Sequence, residues 1–281
     1  MAKKSSAKSI DKSHICLSYI THFYCNQKNI DSVTSLLREY EQYDPALLDV
    51  IEFIIVDDGS PINYVLPELN LNLTWLKINE DISWNQGGAR NLGVIYAKSD
   101  RMVISDLDHV FPETTLYYMA YCRHPGRNFY KIYRTCQESG KIIRAHWNIF
   151  YFSRARFLRL YGYDEAFAGQ YGFEDLWLSR FQKYRGSKQR YLPKKYRCLE
   201  RQLDRNKSYH SLVRDMTQNR KMYNSKKSEF KAYGKEFGHS RAFLNFTWQV
   251  MHQHSRNPPK KLEKKYGNFW WLRYLSTYLA R

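Results

Sequence analysis

Two aspartates separated by one residue, Asp106 and Asp108, are the side chains of this 281-residue chain that most strongly suggest chemistry. They follow the apolar run Met102–Ile104, where a strand is expected to end and a loop to begin. Residues i and i+2 of a strand share a face, so both carboxylates can point to one place above the sheet edge. Two hard oxygen donors suit Mg²⁺ or Mn²⁺, and such an ion could hold a diphosphate. A solvated turn is the alternative.

A second pair of acids, Asp57 and Asp58, follows the apolar run Ile51–Val56 and precedes a Gly-Ser turn. A carboxylate at this strand end can accept a hydrogen bond from the N–H of a pyrimidine base or from a ribose hydroxyl. An ordinary Asp-Gly turn is the alternative. Further along, paired glycines precede Arg90, which could bind a phosphate with two hydrogen bonds or could be a surface residue at a helix N-terminus.

A third pair of acids, Glu174 and Asp175, comes directly before a helical pattern over 176–184. The helix dipole favours an ionised carboxylate at a helix N-terminus, and an ionised carboxylate suits a general base. Capping of the helix by the two acids is the alternative. The sequence therefore offers three acidic pairs, each at the end of a predicted strand or at the start of a predicted helix.

The order of the predicted elements favours an α/β protein. Apolar, β-favouring runs alternate with segments whose apolar residues recur at helical spacing. Predicted strands cover 16–21, 51–56, 75–78 and 101–105, Asp31 is predicted to cap one helix, and another helix is predicted to begin near Gly87 and Gly88. Such alternation predicts a mostly parallel sheet flanked by helices, with ligands at the carboxyl ends of the strands. Asp58 and Asp106 are both expected at that edge.

The second half of the chain divides into a domain and an extension. We predict a strand over 129–135, a helix capped by Ser153, and a helix over 176–184 that ends near Gly186. From about Asp204 the pattern becomes helical, basic and interrupted. The predicted organisation is a disordered tail over 1–13, a catalytic domain over 14–203 and a basic, mainly helical C-terminal region over 204–281.

Charge is distributed unevenly along the chain, whose formal net charge is +18. Residues 1–180 hold 20 Lys and Arg against 21 Asp and Glu, whereas residues 181–281 hold 25 against 6. A basic C-terminal part implies an anionic partner, which could be nucleic acid, an anionic membrane surface or a phosphorylated acceptor. A solvated basic face is the alternative.

Cysteine usage and hydropathy predict where the protein resides. Five scattered cysteines without a C-x-x-C pair indicate reduced thiols in a cytosolic protein, and they do not suggest a disulfide framework or a zinc site. The basic first residues lead into no sustained apolar segment, so no signal peptide is predicted. No apolar run approaches the ~18 residues that span a bilayer, so contact with a membrane is expected to be peripheral.

In their order along the chain, these segments resemble the family 2 glycosyltransferases of the GT-A fold. The resemblance covers roughly residues 14–185. The matching segments are Tyr19–Tyr24, Ile55–Ser60, Gly87–Gly93, Ser105–Asp108, and Gly162–Phe167 leading to Gly172–Asp175. The resemblance implies a Rossmann-like sheet and an enzyme that takes a sugar from a nucleotide-diphosphate donor.

The resemblance also implies roles for individual residues. Asp106 and Asp108 would bind Mn²⁺ or Mg²⁺ on the donor diphosphate. Asp58, more than Asp57, would read the base. Asp175 would deprotonate the acceptor hydroxyl, and Glu174 would position the acceptor. Thr21 and Tyr24 would line the base pocket.

Two further residues have open interpretations. His210 lies downstream of the acidic pair, where metal-dependent relatives often supply a further metal ligand, although a lone His is more often structural. Trp147 lies where relatives often have a Gly-Gly pair, and it either stacks on a sugar or belongs to the core.

An aromatic segment near the end of the chain, 269–279, follows four lysines at 260, 261, 264 and 265. As a helix it would place most of its large rings on one side and would resemble a helix at the interface of an anionic membrane. The alternative is that this side packs on the catalytic domain or on a second subunit of a homo-oligomer.

These patterns together predict a metal-dependent, inverting glycosyltransferase that moves a sugar, preferably from a UDP-sugar, to a glycan or lipid-linked acceptor. The Glu-Asp pair also resembles that of galactose and N-acetylhexosamine transferases and of capsule polymerases. We therefore expect a role in bacterial surface polysaccharide synthesis (capsule or lipopolysaccharide), on the inner face of the cell membrane. Nucleic acid is not expected as a partner, although a sugar nucleotidyltransferase and a non-enzymatic RNA-binding protein remain alternatives.

Overall fold

The computed structural model describes residues 14–256, in which strands and helices alternate along the first half. The strands are β1 (Leu17–Phe23), β2 (Ile51–Asp57), β3 (Asn72–Ile78), β4 (Arg101–Ser105), β5 (His109–Val110), β6 (Asn128–Lys131), β7 (Arg134–Thr135), β8 (Ile142–Ile143), β9 (Phe150–Ser153), β10 (Lys188–Tyr191), β11 (Cys198–Glu200) and β12 (Trp248–His254). The helices are α1 (Asp31–Glu41), α2 (Pro45–Leu48), α3 (Gln86–Tyr96), α4 (Glu113–Tyr117, continued by a π-helical turn, Tyr118–Cys122), α5 (Arg154–Arg159), α6 (Glu174–Tyr184) and α7 (Thr217–Tyr233). A 3₁₀ turn covers Glu165–Phe167.

The main sheet has the strand order β10-β6-β9-β4-β1-β2-β3-β12. Its centre, β4-β1-β2-β3, is parallel throughout, whereas β9 and β12 run antiparallel to their neighbours β4 and β3. A smaller sheet has the order β5-β11-β7-β8. The predicted parallel core flanked by helices is therefore confirmed.

Side chains that alternate along the central strands fill two cores, one on each face of the sheet. Tyr19 of β1 packs in the core that contains the apolar side of α1, including Leu36. Its neighbour Ile20 faces the opposite core, which contains Leu92 of α3. Both faces are thus covered, which is why β2 is buried along its whole length.

One glycine of α3 is required by close packing on the sheet. A Cβ atom built on Gly93 would lie 2.5 Å from the Cγ2 atom of Ile20, a distance that no side chain could accept without displacement. The helix therefore lies directly on β1 at this point. That close contact fixes the height of the preceding turn of α3, from which Arg90 projects.

Most predicted elements are present, with two differences of extent. The strand predicted over 129–135 is two strands, β6 and β7, because the chain leaves the main sheet at the buried Ile132 and enters the smaller one. Asp31 is the first residue of α1, and Ile30 holds the N-cap position without a side-chain hydrogen bond. Ser153 does cap α5, since its hydroxyl accepts a hydrogen bond from the backbone N–H of Arg156.

Residues 204–256 contain a strand as well as a helix, whereas the sequence pattern predicted mainly helices. The strand is β12, and it extends the main sheet beyond β3. Two buried acids hold the same region to the catalytic part. Asp164 pairs with Lys226 of α7 at 2.7 Å, and Glu165 accepts a hydrogen bond from the backbone N–H of Leu244 at 2.9 Å.

Within residues 14–256, no helix is both long and apolar enough to cross a membrane. The predicted tail over 1–13 and the aromatic segment 269–279 with its lysines lie outside the described residues. The predictions that rest on these two segments therefore remain predictions.

Candidate active site

A cavity of about 470 Å³ opens at the carboxyl ends of the central parallel strands. Residues that follow β1, β2 and β4 line it, as do the N-terminus of α6 and the segment between β11 and α7. This is the edge at which a parallel sheet normally binds ligands. Asp58, Asp106, Asp108, Glu174, Asp175, Tyr24, Trp147 and His210 all line this one cavity.

Asp106, the first of the two aspartates that are separated by one residue, is held in place by two side chains of the protein. The Oδ1 atom of Asp106 is 2.5 Å from Nη2 of Arg90, and its Oδ2 atom accepts a hydrogen bond from the side-chain amide of Asn148. Burial raises the pKa of Asp106, and the charge of Arg90 opposes that rise. Its position is therefore fixed by the protein before any ligand binds.

The second aspartate, Asp108, is more accessible and faces the side chains of His109 and Arg205. It lies 2.6 Å from Nδ1 of His109 and 3.8 Å from Nη2 of Arg205. Burial alone would raise the pKa of Asp108, but contact with His109 outweighs it, and the net shift is downward. The ionised form, which is the form that binds metal ions, is thus favoured.

His210 lines the same cavity, with its ring against Trp84 at 4.8 Å and Tyr209 at 4.3 Å between centroids. Its Nδ1 atom is buried without a hydrogen-bond partner among the described residues. Burial first, then the charges of Arg214 and Arg205, lower the pKa of His210 to about 4. The ring is therefore neutral near pH 7, the form in which an imidazole can bind a metal ion.

These three side chains have suitable chemistry for Mn²⁺ or Mg²⁺, namely two carboxylates and a neutral imidazole. Within residues 14–256, however, no group of three or more His, Cys, Asp or Glu side chains is arranged to hold a metal ion. Asp106 and Asp108 are the residues that would hold such an ion, and oxygens of a ligand would have to complete its coordination. His210 packs on aromatic rings in this structure.

The two acids after β2 have different environments. Asp57 is fully buried and does not line the cavity, because its carboxylate binds Tyr64 Oη at 2.5 Å and the backbone N–H of Ser60 at 2.8 Å. Asp58 lines the cavity and accepts a hydrogen bond from Asn85 at 3.0 Å. Burial raises the pKa of Asp58. Asp57 therefore stabilises the turn, and Asp58 is available to a ligand.

Residues 22–25, at the end of β1 and just after it, line the cavity, and His22 and Tyr24 are among them. Thr21, one position earlier, is fully buried and does not line it. The expected contact of Thr21 with a base therefore differs from the structure. Sequence reasoning missed His22, although its spacing of two from Tyr24 placed both on one side. Burial lowers the pKa of His22, and the charge of Arg90 adds to this effect.

Arg90 has the least expected position in the site. Its side chain is fully buried and does not line the cavity. One Nη1 atom lies 2.5 Å from Oδ1 of Asp175 and 3.0 Å from Oη of Tyr163, while Nη2 binds Asp106. This corrects the expectation of a direct phosphate contact, because the guanidinium donors already point at protein acceptors. We call these four residues, Arg90, Asp106, Tyr163 and Asp175, the floor of the cavity.

The acidic pair at the start of α6 follows a left-handed turn at Gly172 and Phe173, whose φ angles are +88° and +72°. Asp175 accepts hydrogen bonds from Arg90 and, at 2.7 Å, from Tyr163 Oη. Glu174 accepts one from Gln86, and its Oε2 atom has no partner among the described residues. Burial and the charge of Asp175 raise the pKa of Glu174 to about 8. Glu174 is thus mostly protonated near pH 7.

Trp147 is 44% exposed and lines the cavity, so it does not belong to the core. The Nζ atom of Lys131 lies 4.0 Å from the centre of its ring. Sequence reasoning also missed the segment 205–216, of which Arg205, Tyr209 and Arg214 line the cavity. Its only local signal was His210, since nothing in the pattern predicts that this segment returns to the loop after β1.

The comparisons with known proteins identify the class. The family model described as glycosyl transferase family 2 matches residues 24–181, more than half of the chain. The chain therefore belongs to glycosyl transferase family 2. It is a GT-A glycosyltransferase that uses a nucleotide-sugar donor. No curated protein matches it significantly.

Among solved structures, residues 1–349 of S. aureus TarS in complex with UDP-GlcNAc match with 14% identity and a TM-score of 0.56. The match covers 77% of this chain and 67% of the TarS chain. The mannosyltransferase PcManGT from Pyrobaculum calidifontis, in complex with GDP-Man and Mn²⁺, has 19% identity and a TM-score of 0.45, and 63% of its chain is covered. The first of these matches supports the fold, and the second is too weak to support an argument.

Proposed function

We propose that the protein is a metal-dependent, inverting glycosyltransferase that moves a sugar from a UDP-sugar to a glycan or lipid-linked acceptor. The observation that carries this proposal is the floor of the cavity. There one buried guanidinium holds a D-x-D carboxylate and the carboxylate at the start of α6 at 2.5 Å each. Asp106 and Asp175 thus line the same cavity. A donor diphosphate bound near Asp106 and an acceptor hydroxyl bound near Asp175 would then be close together.

In this mechanism the base of the donor binds beside Asp58, whose carboxylate accepts a hydrogen bond from the base or from ribose. A divalent ion held by Asp106 and Asp108 would supply positive charge against the diphosphate that leaves. The carboxylate of Asp175 accepts the proton of the acceptor hydroxyl as that oxygen attacks the anomeric carbon. A single displacement of this kind inverts the configuration at that carbon.

Neighbouring side chains keep Asp175 ready for this step. Tyr163 and Arg90 both bind its Oδ1 atom, so the second carboxylate oxygen remains for the acceptor. Glu174 has an unpartnered Oε2 atom and a raised pKa, so it can donate a hydrogen bond to a sugar hydroxyl near neutral pH. This supports its proposed role in positioning the acceptor.

Two arguments support UDP as the nucleotide. Asp58 offers an acceptor for the N–H of a pyrimidine base, and TarS, which shares the fold, is solved with UDP-GlcNAc. The family membership favours sugar transfer over the two alternatives, nucleotidyl transfer and RNA binding without catalysis.

The acceptor, the pathway and the location are part of the same proposal. The basic composition of residues 181–281 supports a peripheral position at an anionic membrane, at which a lipid-linked acceptor of a surface polysaccharide would be found. Removal of residues 260–281 is then expected to abolish salt-sensitive sedimentation with anionic vesicles while transfer to a soluble acceptor continues. Sedimentation that ignores lipid charge would favour packing of this segment on protein, including a second subunit.

The decisive experiment is a panel of UDP-, GDP- and dTDP-sugars, with Mn²⁺ or with EDTA, scored by thermal shift and by donor hydrolysis. We expect stabilisation and hydrolysis with one or more UDP-sugars, dependent on the metal. Asp108→Asn should lose both, whereas Asp31→Asn, on an exposed position of α1, should lose neither. Full activity in EDTA would contradict the metal requirement, and binding of a sugar 1-phosphate with UTP would favour nucleotidyl transfer.

A further inference from the structure

Three aromatic residues at the mouth of the cavity each have a cation against the ring. Trp147, Tyr171 and Phe173 line the cavity. The paired cations and their distances to the ring centres are Lys131 at 4.0 Å from Trp147, Arg214 at 5.6 Å from Tyr171 and Arg220 at 5.9 Å from Phe173. We call these six residues the rim; of its three cations, Arg214 lines the cavity, whereas Lys131 and Arg220 contact rings that line it. Such pairs present a flat apolar face and a positive charge side by side.

The rim cations lack counter-charges. Among the described residues, none of Lys131, Arg214 and Arg220 is within ion-pair distance of a carboxylate. Burial and then the like charge of Lys183 lower the pKa of Lys131. Clustered charges of one sign around a cleft attract a ligand of the opposite sign.

The donor diphosphate does not account for the whole rim. Lys131 is the last residue of β6, and the order β6-β9-β4-β1 places three strand spacings between it and β1. That separation is about 14 Å. Tyr24 and Asp58, which belong to the proposed base pocket, lie at the ends of β1 and β2. Lys131 therefore lies about three strand spacings from the proposed base pocket, and we assign this end of the cavity to the acceptor.

We propose that the acceptor is an anionic glycan, with phosphate or carboxylate groups beside the sugar rings, and that the rim binds it. The inference rests on the proposed function, since it names the acceptor class of that site. Sugar rings would stack on Trp147 and Phe173. Their anionic groups would pair with Lys131, Arg214 and Arg220, which then gain the counter-charges that the protein itself does not provide.

The test measures binding of fluorescently labelled oligomers by anisotropy, with UDP and Mn²⁺ present. The probes are an oligogalacturonate, an oligo(glycerol phosphate) and a neutral dextran of equal length. The variant is Lys131→Gln combined with Arg220→Gln. The control combines Lys188→Gln with Lys221→Gln. Lys188 begins β10, the neighbour of β6, at the end opposite to Lys131, and Lys221 directly follows Arg220.

We expect at least one anionic oligomer to bind more tightly than dextran, with an affinity that falls as salt is added. The rim variant should bind it about 5-fold to 20-fold more weakly, as two partly exposed charge contacts predict. The control variant should bind like the unmodified protein. The two anionic probes distinguish phosphate from carboxylate recognition.

Equal binding of dextran and the anionic oligomers would overturn the inference, as would equal losses in the rim and control variants. A single-stranded RNA oligomer is a further arm, and binding of RNA without either glycan would also overturn it. Thermal shift with UDP-sugars distinguishes a failure of this inference from a failure of the proposed function. If the donor binds but the anionic oligomers do not, this inference fails alone, and if the donor does not bind, the proposed function fails.

Discussion

The floor and the rim of the cavity contain similar numbers of charged groups but arrange them in opposite ways. On the floor, Arg90 is fully buried and both of its carboxylate partners are within 2.5 Å. On the rim, Lys131 is partly exposed, Arg214 and Arg220 are exposed, and none of the three has a carboxylate partner among the described residues. A paired, buried network is rigid and holds reacting groups in place. Unpaired charges at an entrance select among ligands. We infer that the floor sets the reaction and the rim sets the acceptor.

The largest expected effect of a single substitution is on the floor. Asp175→Asn keeps the shape of the side chain but removes the proposed base. We expect transfer to fall about 10²-fold to 10⁴-fold, while donor affinity changes little. Steady-state transfer rates and donor titration by thermal shift measure the two quantities, with Asp31→Asn as the matched control. A parallel collapse of donor binding would place Asp175 in the donor site.

Substitutions of Arg90 test whether this one residue keeps Asp106 and Asp175 in place. Arg90→Met leaves two buried carboxylates without their cation, and removing one partner of a buried pair typically costs about 3–5 kcal/mol of unfolding free energy. Arg90→Lys keeps the charge but cannot bind both acids through separate nitrogens. It should therefore fold, yet lose more in kcat than in donor affinity. Urea denaturation and kinetics measure these changes.

Arg38→Met, at an exposed position of α1, is the control for Arg90→Met. Normal stability and rate in both Arg90 variants would show that the floor does not depend on the guanidinium. The contrast between floor and rim would then lose its physical basis.

Glu174, the neighbour of Asp175 in the sequence, provides a pH test of the surroundings of the floor. Burial and the charge of Asp175 raise its pKa to about 8 in the folded protein, above the ordinary value of 4.5. Between these two values the folded state binds the proton more tightly than the unfolded state. Stability should therefore decline as the pH rises from about 4.5 to about 8 and should then level off. Glu174→Gln cannot ionise and should remove this part of the decline.

Melting temperatures across this pH range, in EDTA, measure the effect for Glu174→Gln and the unmodified protein. Identical pH profiles would mean that the carboxyl group of Glu174 ionises as readily in the folded state as in the unfolded state.

The smallest expected effect is on the rim. Trp147→Ala removes a ring that is 44% exposed, so stability should change by less than about 0.5 kcal/mol. The KM for an acceptor should nevertheless rise several-fold, because a stacking surface is lost. A large loss of stability with unchanged KM would show that the ring supports the fold instead of the ligand.

Sequence patterns predicted the acidic residues Asp106 and Asp175, but they did not predict that Arg90 binds both. Asp106 and Asp175 were found because a short apolar run ends before the first and a helical pattern begins at the second. Both signals are local. The partners of Arg90 lie 16 and 85 positions away along the chain, and no local period encodes such contacts. A buried guanidinium with two carboxylates and a surface guanidinium look alike in a sequence.

The same limit applies to the fold. The strands β1, β2 and β4 were predicted from apolar runs that are buried on both faces. The strand β12 was not predicted, because its mostly exposed residues do not alternate between apolar and polar as a half-buried strand does. Its pairing with β3, and not its composition, makes it a strand. Tertiary context decides such segments.

The pairing of β12 with β3 also has a consequence for how the chain is made. Trp248 lies opposite Ile78, so about 170 residues separate the two partners. At about 5–20 residues per second, a ribosome needs roughly 10 to 30 seconds to add them. During that time β3 is an open sheet edge, which can pair with another chain. Nascent protein should therefore aggregate most readily while it is incomplete. A fragment that stops at the end of the family match, near residue 181, would keep that edge open permanently.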